Sequence, residues 1–118
     1  MRELYWVGSS REDLRAFPEE VRLAFGYGLY LAQQGDKHPG AKPLRGFTGA
    51  SVMEIIERFD TNAFRAVYVV NLQSGVYVLH AFQKKSTQGI ATSRRDIDLI
   101  RQRLQQAIRY DAELRRRE

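Results

Sequence analysis

Four cations lie where a phosphate could be held and cleaved. Arg58, Arg65, Lys84 and Lys85 sit in or beside three segments, Val52 to Phe59, Phe64 to Leu72 and Val76 to Lys84, whose β-branched and aromatic content reads as strands. Turns at Asp60 to Ala63 and Gln73 to Gly75 are short enough to make them an antiparallel meander. Strand side chains alternate between faces. One face then takes Met53, Ile55, Phe64, Ala66, Tyr68, Val70, Tyr77, Leu79 and Ala81, and reads as the core face that the helices cover. The other takes Glu54, Ile56, Arg58, Arg65, Val67, Val69, Val78, His80, Phe82 and Lys84. Folding the hairpins about their turns sets Arg58 roughly opposite Arg65, and Arg65 near Lys84, beside Phe82. Like charges facing each other repel, so the cluster points to an anion held between them. Pairing with Glu54 or Glu57, or solvation at a strand end, is the other account.

Phosphoryl transfer asks for positive charge around the transferring group more than for covalent help. RNA brings its own nucleophile, the 2′-hydroxyl; arginine or lysine can hold the developing charge, and an acid and a base move the protons. Lys84 or Lys85, set among other cations, is a candidate for one of these roles, and His80 is another. A lone histidine on a half-apolar face is more often a structural residue. Phe82 could stack a base or pack under the last helix. Other chemistries fit poorly. The chain has no cysteine and only two histidines, which leaves neither disulfides nor a zinc ligand set. It has no serine-nucleophile motif, no phosphate-cradling glycine loop and no paired-carboxylate motif. Neither a metal nor a cofactor is expected.

The surrounding elements must position this face. Residues 4–7 read as a short edge strand. Ser9 with Glu12, or Ser10 with Asp13, offers a capping-box start for a short helix that ends near Phe17. Pro18 suits the first position of a second helix, with Glu19 and Glu20 at its positive end. Val21, Ala24, Phe25, Gly28, Leu31 and Ala32 give this helix an apolar spacing, Gly26 and Gly28 mark close packing, and Gly35 ends it. Residues 36–50, rich in Gly and Pro, read as a loop made basic by Lys37, His38, Lys42 and Arg45. Lys85 to Ala91 is a second loop. Thr92 or Ser93 caps a last helix carrying Ile97, Ile100, Leu104, Ala107 and Ile108 on one stripe, with Arg115 to Arg117 as a fraying tail. The expected class is α+β in a single domain over residues 1–118: strand, two-helix hairpin, three-stranded antiparallel meander and C-terminal helix.

Charge is uneven. Residues 84–118 hold ten Lys/Arg and five acids, so the whole net charge of +5 lies in the last third. Such a region attracts phosphate backbones, anionic membranes or an acidic protein, or is simply a solvated helix face. Arg94 and Arg95, at the start of the last helix, and Arg45 are candidates to follow an RNA backbone. With 43% hydrophobic residues the chain is too apolar for disorder, and it has no apolar run of the ~20 residues a membrane span needs. The first residues are too polar for a signal peptide, so the cytoplasm is the expected location.

Three stretches resemble a known family: Glu54-Ile55, then Phe64-Arg65-Ala66-Val67-Tyr68, then Phe82-Gln83-Lys84-Lys85-Ser86. Together with Lys42-Pro-Leu-Arg-Gly46, they make the chain similar to the RelE/ParE/HigB toxin superfamily, in its phage-derived HigB-like branch, over about residues 40–108. Thr92-Ser93 departs from the Thr-Pro common there. The resemblance implies a RelE-like fold and a ribosome-dependent mRNA endonuclease with Arg65, Lys84 and Lys85 on the active surface. It also implies a helix-turn-helix antitoxin as partner. Some relatives instead bind a protein target such as DNA gyrase without cleaving anything, and an inactive phage-derived nucleic-acid-binding protein is a third reading.

Overall fold

The computed structural model describes residues 1–47, 51–85 and 92–117, with the side chain of Lys85 left out. In chain order it contains β1 (Glu3–Trp6), α1 (Ser10–Arg15), α2 (Glu19–Gln33), β2 (Lys42–Pro43), β3 (Val52–Phe59), β4 (Asn62–Val69), β5 (Gly75–Lys85) and α3 (Arg94–Arg116). The fold is mixed α+β: one five-stranded sheet in the order β1-β5-β4-β3-β2, with β1 parallel to β5 and the other neighbours antiparallel. The short strand β2 falls inside the expected 36–50 loop, and β4 begins and ends earlier than the composition indicates.

That early start shifts the register. Phe59 pairs with Asn62, so only Asp60 and Thr61 form the β3–β4 turn, and Asp60 takes the left-handed conformation with φ of 57°, one that aspartate tolerates. The turn is two residues tighter than the sequence indicates. Arg58 therefore faces Ala63 rather than Arg65, and Arg65 faces Ile56 and Phe82. Lys84 faces Ala63. A slip of two positions keeps every side chain on its expected face, whereas a slip of one would have inverted them all.

An inversion does occur within β5. Val67 pairs with His80 but Tyr68 with Val78, so Leu79 is an extra residue, a β-bulge. On the His80 to Lys84 side of it, alternation runs as expected. On the other side it is reversed, and Tyr77 and Leu79 join the opposite layer from the one predicted, while Val76 and Val78 take their place. The orphaned Leu79 carbonyl is satisfied by Arg103 of α3, whose Nη1 donates at 2.9 Å.

Both sheet faces are thus covered. Leu14 of α1 and Val21, Phe25, Leu29 and Ala32 of α2 pack on Ile55, Phe64, Ala66, Tyr68, Val76 and Val78. Ile100, Leu104 and Ala107 of α3 pack on Val52, Val67, Val69, Tyr77, Leu79 and Phe82. The expectation that all helices share one face fails because the second face is apolar too, and each fully buried large side chain there contributes ~1.5–3 kcal/mol. Ile108, expected in the stripe, is 38% exposed.

The helix ends follow local chemistry. Pro18 is the N-cap of α2 rather than its first helical residue, and Ser9 caps α1 without a side-chain bond to the backbone. Gly35, at φ of +85°, closes α2: its amide donates to Ala32 and that of Asp36 to Leu31, at 3.0 and 2.8 Å, the two bonds of a Schellman end. Ser93 caps α3, accepting from the Asp96 amide at 3.2 Å. The helix continues through Arg116 instead of fraying at Arg115, where an ion pair to Asp111 at 3.3 Å supports the last turns.

The two glycines of α2 differ. A Cβ at Gly28 would stand 2.4 Å from Ile55 Cδ1, while one at Gly26 would meet nothing within 4 Å. Gly28→Ala should therefore lower the melting temperature. Gly26→Ala should raise stability by up to ~1 kcal/mol through helix propensity. Chemical denaturation of both variants checks the contrast; two destabilised variants would mean that Gly26 has a packing role.

Candidate functional site

A groove of about 680 Å³ opens between β2, the outward ends of β3 and β4, and the start of α3. Its walls include Lys42, Arg45, Glu54, Ile56, Arg58, Arg65, Thr92 and Ile97. Pairing of β2 with β3 sets Lys42 beside Glu54, and the Leu44 amide, donating to the Val52 carbonyl at 2.9 Å, carries the chain on to Arg45. Arg58 and Arg65 reach the same space from β3 and β4, one cross-strand row apart. Four cations line the groove with one carboxylate among them, a surplus of three positive charges. A concave wall of one charge sign concentrates the field and draws in anions.

Arg65 is the deepest of the four. Its side chain is 12% exposed and that of Glu54 6%, with Nη1 3.3 Å from Glu54 Oε2 and donating to Thr92 Oγ1 at the same distance. Of the two accounts given for the cationic cluster, pairing with Glu54 therefore holds for this residue, within a groove that still carries excess positive charge. Arg45 and Arg58, by contrast, are exposed and make the rim. Lys84 shares the strand face but lies further along it, half-buried, and acts electrostatically on Asp96. Lys85 ends β5 opposite Asn62, and its side chain lies outside the described residues, as does Ser86. Arg94 and Arg95 are exposed on the first turn of α3.

His80 and Phe82 are not surface residues. Phe82 is 9% exposed in the layer beneath α3, and His80, 7% exposed, stacks on it with ring centroids 4.4 Å apart. Of the two readings given for each, the structural one matches their placement: α3 covers the apolar half of this face and takes both rings beneath it. His80 Nε2 lies 2.9 Å from Asp96 Oδ1, and Ser93 donates to the other Asp96 oxygen at 2.7 Å. His80 Nδ1 is buried with no hydrogen-bond partner among the described residues. Burial holds His80 below its ordinary value of 6.5, outweighing the Asp96 hydrogen bond. Burial alone would raise the Asp96 carboxyl; hydrogen bonds from His80 and Ser93, then the charge of Lys84, hold it below 3.8. The three side chains latch the start of α3 to β5 and so fix Thr92 and Ile97 in the groove wall.

Lys42, Glu54 and Thr92 were not singled out as site residues from the sequence. Lys42 was legible only as part of a basic loop, because its two-residue strand has no pattern. A hollow of about 700 Å³ near the end of α2 is lined largely by apolar side chains, and its Arg2 is committed to the carbonyls of Val70 and Gly75 at 2.6 and 3.1 Å. Among the described residues no group of three or more His, Cys, Asp or Glu side chains is placed to hold a metal, and no helix is long and apolar enough to cross a membrane.

The model of the family described as "Phage derived protein Gp49-like (DUF891)" matches residues 12–105, from α1 through the first half of α3, a span that includes the whole groove. No curated protein and no solved structure matches the chain.

The His80 latch has a pH signature. In the unfolded chain histidine takes up its proton near 6.5; in the fold it does so only at lower pH. The unfolded state therefore binds more protons as pH falls below 6.5, and stability drops between about pH 7 and 5. The contribution of Asp96 is present above 3.8 and lost only below it, outside that window. Urea denaturation across pH 5–7 should show the decline in the native chain and a flatter profile in His80→Gln. Equal slopes would remove His80 as its origin.

Proposed function

The chain belongs to the phage-derived Gp49-like family, a toxin-like family of the HigB/RelE type, and from that premise we propose that it is the toxin of a toxin–antitoxin pair, cutting messenger RNA on the ribosome. The observation that carries the reading is the groove with its surplus of three positive charges. The order strand, two helices, antiparallel meander and helix supports a single RelE-like domain. In this reading the toxin works in the cytoplasm and is silenced by a helix-turn-helix antitoxin.

The chemistry follows from the walls. Arg45 and Arg58 at the rim bind the phosphates flanking the scissile bond. Arg65, held in one orientation by Glu54 and Thr92, stabilises the charge that grows on the phosphoryl oxygens as the 2′-oxygen attacks phosphorus and the 5′-oxygen leaves. Glu54 is the carboxylate nearest to accept the 2′-hydroxyl proton, and Lys84 or Lys85, at the end of β5, donates to the leaving oxygen. The remaining basic side chains, Arg94 and Arg95 among them, follow the RNA backbone or the ribosome.

The exposure of the rim arginines makes them the clean probes. Arg65→Ala would strand a buried carboxylate, at a cost of ~3–5 kcal/mol, and loss of activity would then be ambiguous. Arg58→Ala and Arg45→Ala leave the core untouched. On induced expression the native chain should arrest translation, and primer extension should reveal ribosome-dependent mRNA cuts. Each rim variant should lower the cutting rate by ~10- to 100-fold, as loss of ~1.4–2.8 kcal/mol of transition-state stabilisation requires. Full cutting in both variants would remove the groove from the mechanism. Arrest without cuts, with DNA supercoiling lost, would make the chain a non-catalytic toxin. Salt-sensitive RNA binding with normal growth would make it an inactive binder.

A further inference from the structure

The hollow beside the end of α2 takes no part in the chemistry of the cationic groove. Its volume is about 700 Å³, within the ~300–1,000 Å³ usual for small-molecule sites. Ala32, Leu44, Val52, Met53 and Val70 give it apolar walls. Two kinds of polar group interrupt them. Arg2 and Lys37 stand against Asp36, a surplus of one positive charge. Arg2 is anchored, its guanidinium donating to the carbonyls of Val70 and Gly75 at 2.6 and 3.1 Å, so that charge is fixed in the wall. The other group is the Tyr68 hydroxyl. Tyr68 is 2% exposed, and its hydroxyl makes no hydrogen bond to any described residue. Burial is the one influence on its pKa, which is pushed up to about 12, so the phenol stays protonated and remains a donor. It is not among the fully buried atoms that lack a partner; the little surface Tyr68 keeps includes its oxygen, on the hollow it lines. Buried hydroxyls are nearly always paired, and an unpaired donor on a cavity wall marks where an acceptor from outside the chain would sit.

We propose that this hollow binds a small molecule with an apolar body and one carboxylate: the body lies against Val52, Met53 and Val70, and the carboxylate accepts from the Tyr68 hydroxyl in the field of Arg2 and Lys37. Each part of such a ligand answers something in the wall. The apolar body leaves water for an apolar lining. The single negative charge matches the single surplus positive one, which a neutral molecule would leave unanswered and a dianion would exceed. The carboxylate, an acceptor without a donor of its own, meets a donor without an acceptor. The hollow shares Pro43 and Leu44 alone with the cationic groove, and neither carries charge, so the two sites select different ligands.

Isothermal titration calorimetry of the full chain with 1-naphthoate, a rigid aromatic monocarboxylate, tests this. The native protein should bind it with a Kd below ~1 mM. The same ring without the charge, 1-naphthalenemethanol, should bind at least ~5-fold more weakly. Tyr68→Phe should weaken naphthoate binding by ~5- to 10-fold while leaving the melting temperature unchanged, because the hydroxyl it removes has no partner in the fold. Lys37→Glu, an exposed position, turns the surplus charge negative and should weaken binding by a similar factor. A native chain that takes up no naphthoate at ~1 mM overturns the proposal, as does unchanged affinity in Tyr68→Phe. Equal affinity for the alcohol would make the hollow an unselective apolar cleft, and a lowered melting temperature in Tyr68→Phe would give the hydroxyl a structural partner; either result also overturns it. The titrations contain no RNA, so none of these outcomes bears on cleavage in the groove.

Discussion

The extra residue at Leu79 governs how the layers are assembled. By breaking alternation in the middle of β5, it lets one strand serve two cores: Val76 and Val78 look toward α1 and α2, while Leu79 and Tyr77 look toward α3. The bulge survives because Arg103 takes up the carbonyl that β4 cannot pair, and the same guanidinium reaches Ser9 beside α1 at 3.1 Å. A single cation thus ties the strand irregularity to two helices that lie on different faces of the sheet. Beyond the bulge, His80, Phe82 and Lys84 keep the side on which the groove opens.

That groove is electrostatic rather than apolar in character, and its charges are not equivalent. Arg65 is fixed by Glu54 and Thr92 within a nearly dry wall, so its direction is set before any ligand arrives. Arg45 and Arg58 stand in water, where they are screened but free to adapt. A buried, oriented charge below exposed, mobile ones can gather an anion loosely and then hold it in one pose. The latch of His80, Asp96 and Ser93 supports this from behind by fixing where α3 begins.

Much of this was legible in the residues themselves. The β3 limits, the ending of α2 at Gly35 and the Ser93–Asp96 cap each depend on neighbours in sequence, and local chemistry suffices to find them. What was not legible depends on partners far along the chain. The bulge has no composition of its own; it exists because Arg103 and the α3 layer stabilise it. The two-residue turn at Asp60 could be told from a longer one only by the pairing it produces. Phe82 and His80 looked available to a ligand because alternation cannot say which helix will cover a face that is half apolar. Arg58 and Arg65 were nonetheless assigned to the correct face, since an even slip preserves it.

The parallel pairing of β1 with β5 joins Glu3 to Gly75, so the first strand finds its place only after most of the chain exists. Pairing across such a separation is slow to nucleate. During synthesis the leading strand must wait unpaired while the meander forms, and Arg103, needed to steady β5, is made later still. The groove wall contributed by Thr92 and Ile97 has the same late origin. A chain built in this order completes its cationic hollow only once α3 has been made, after every strand of the sheet that floors it.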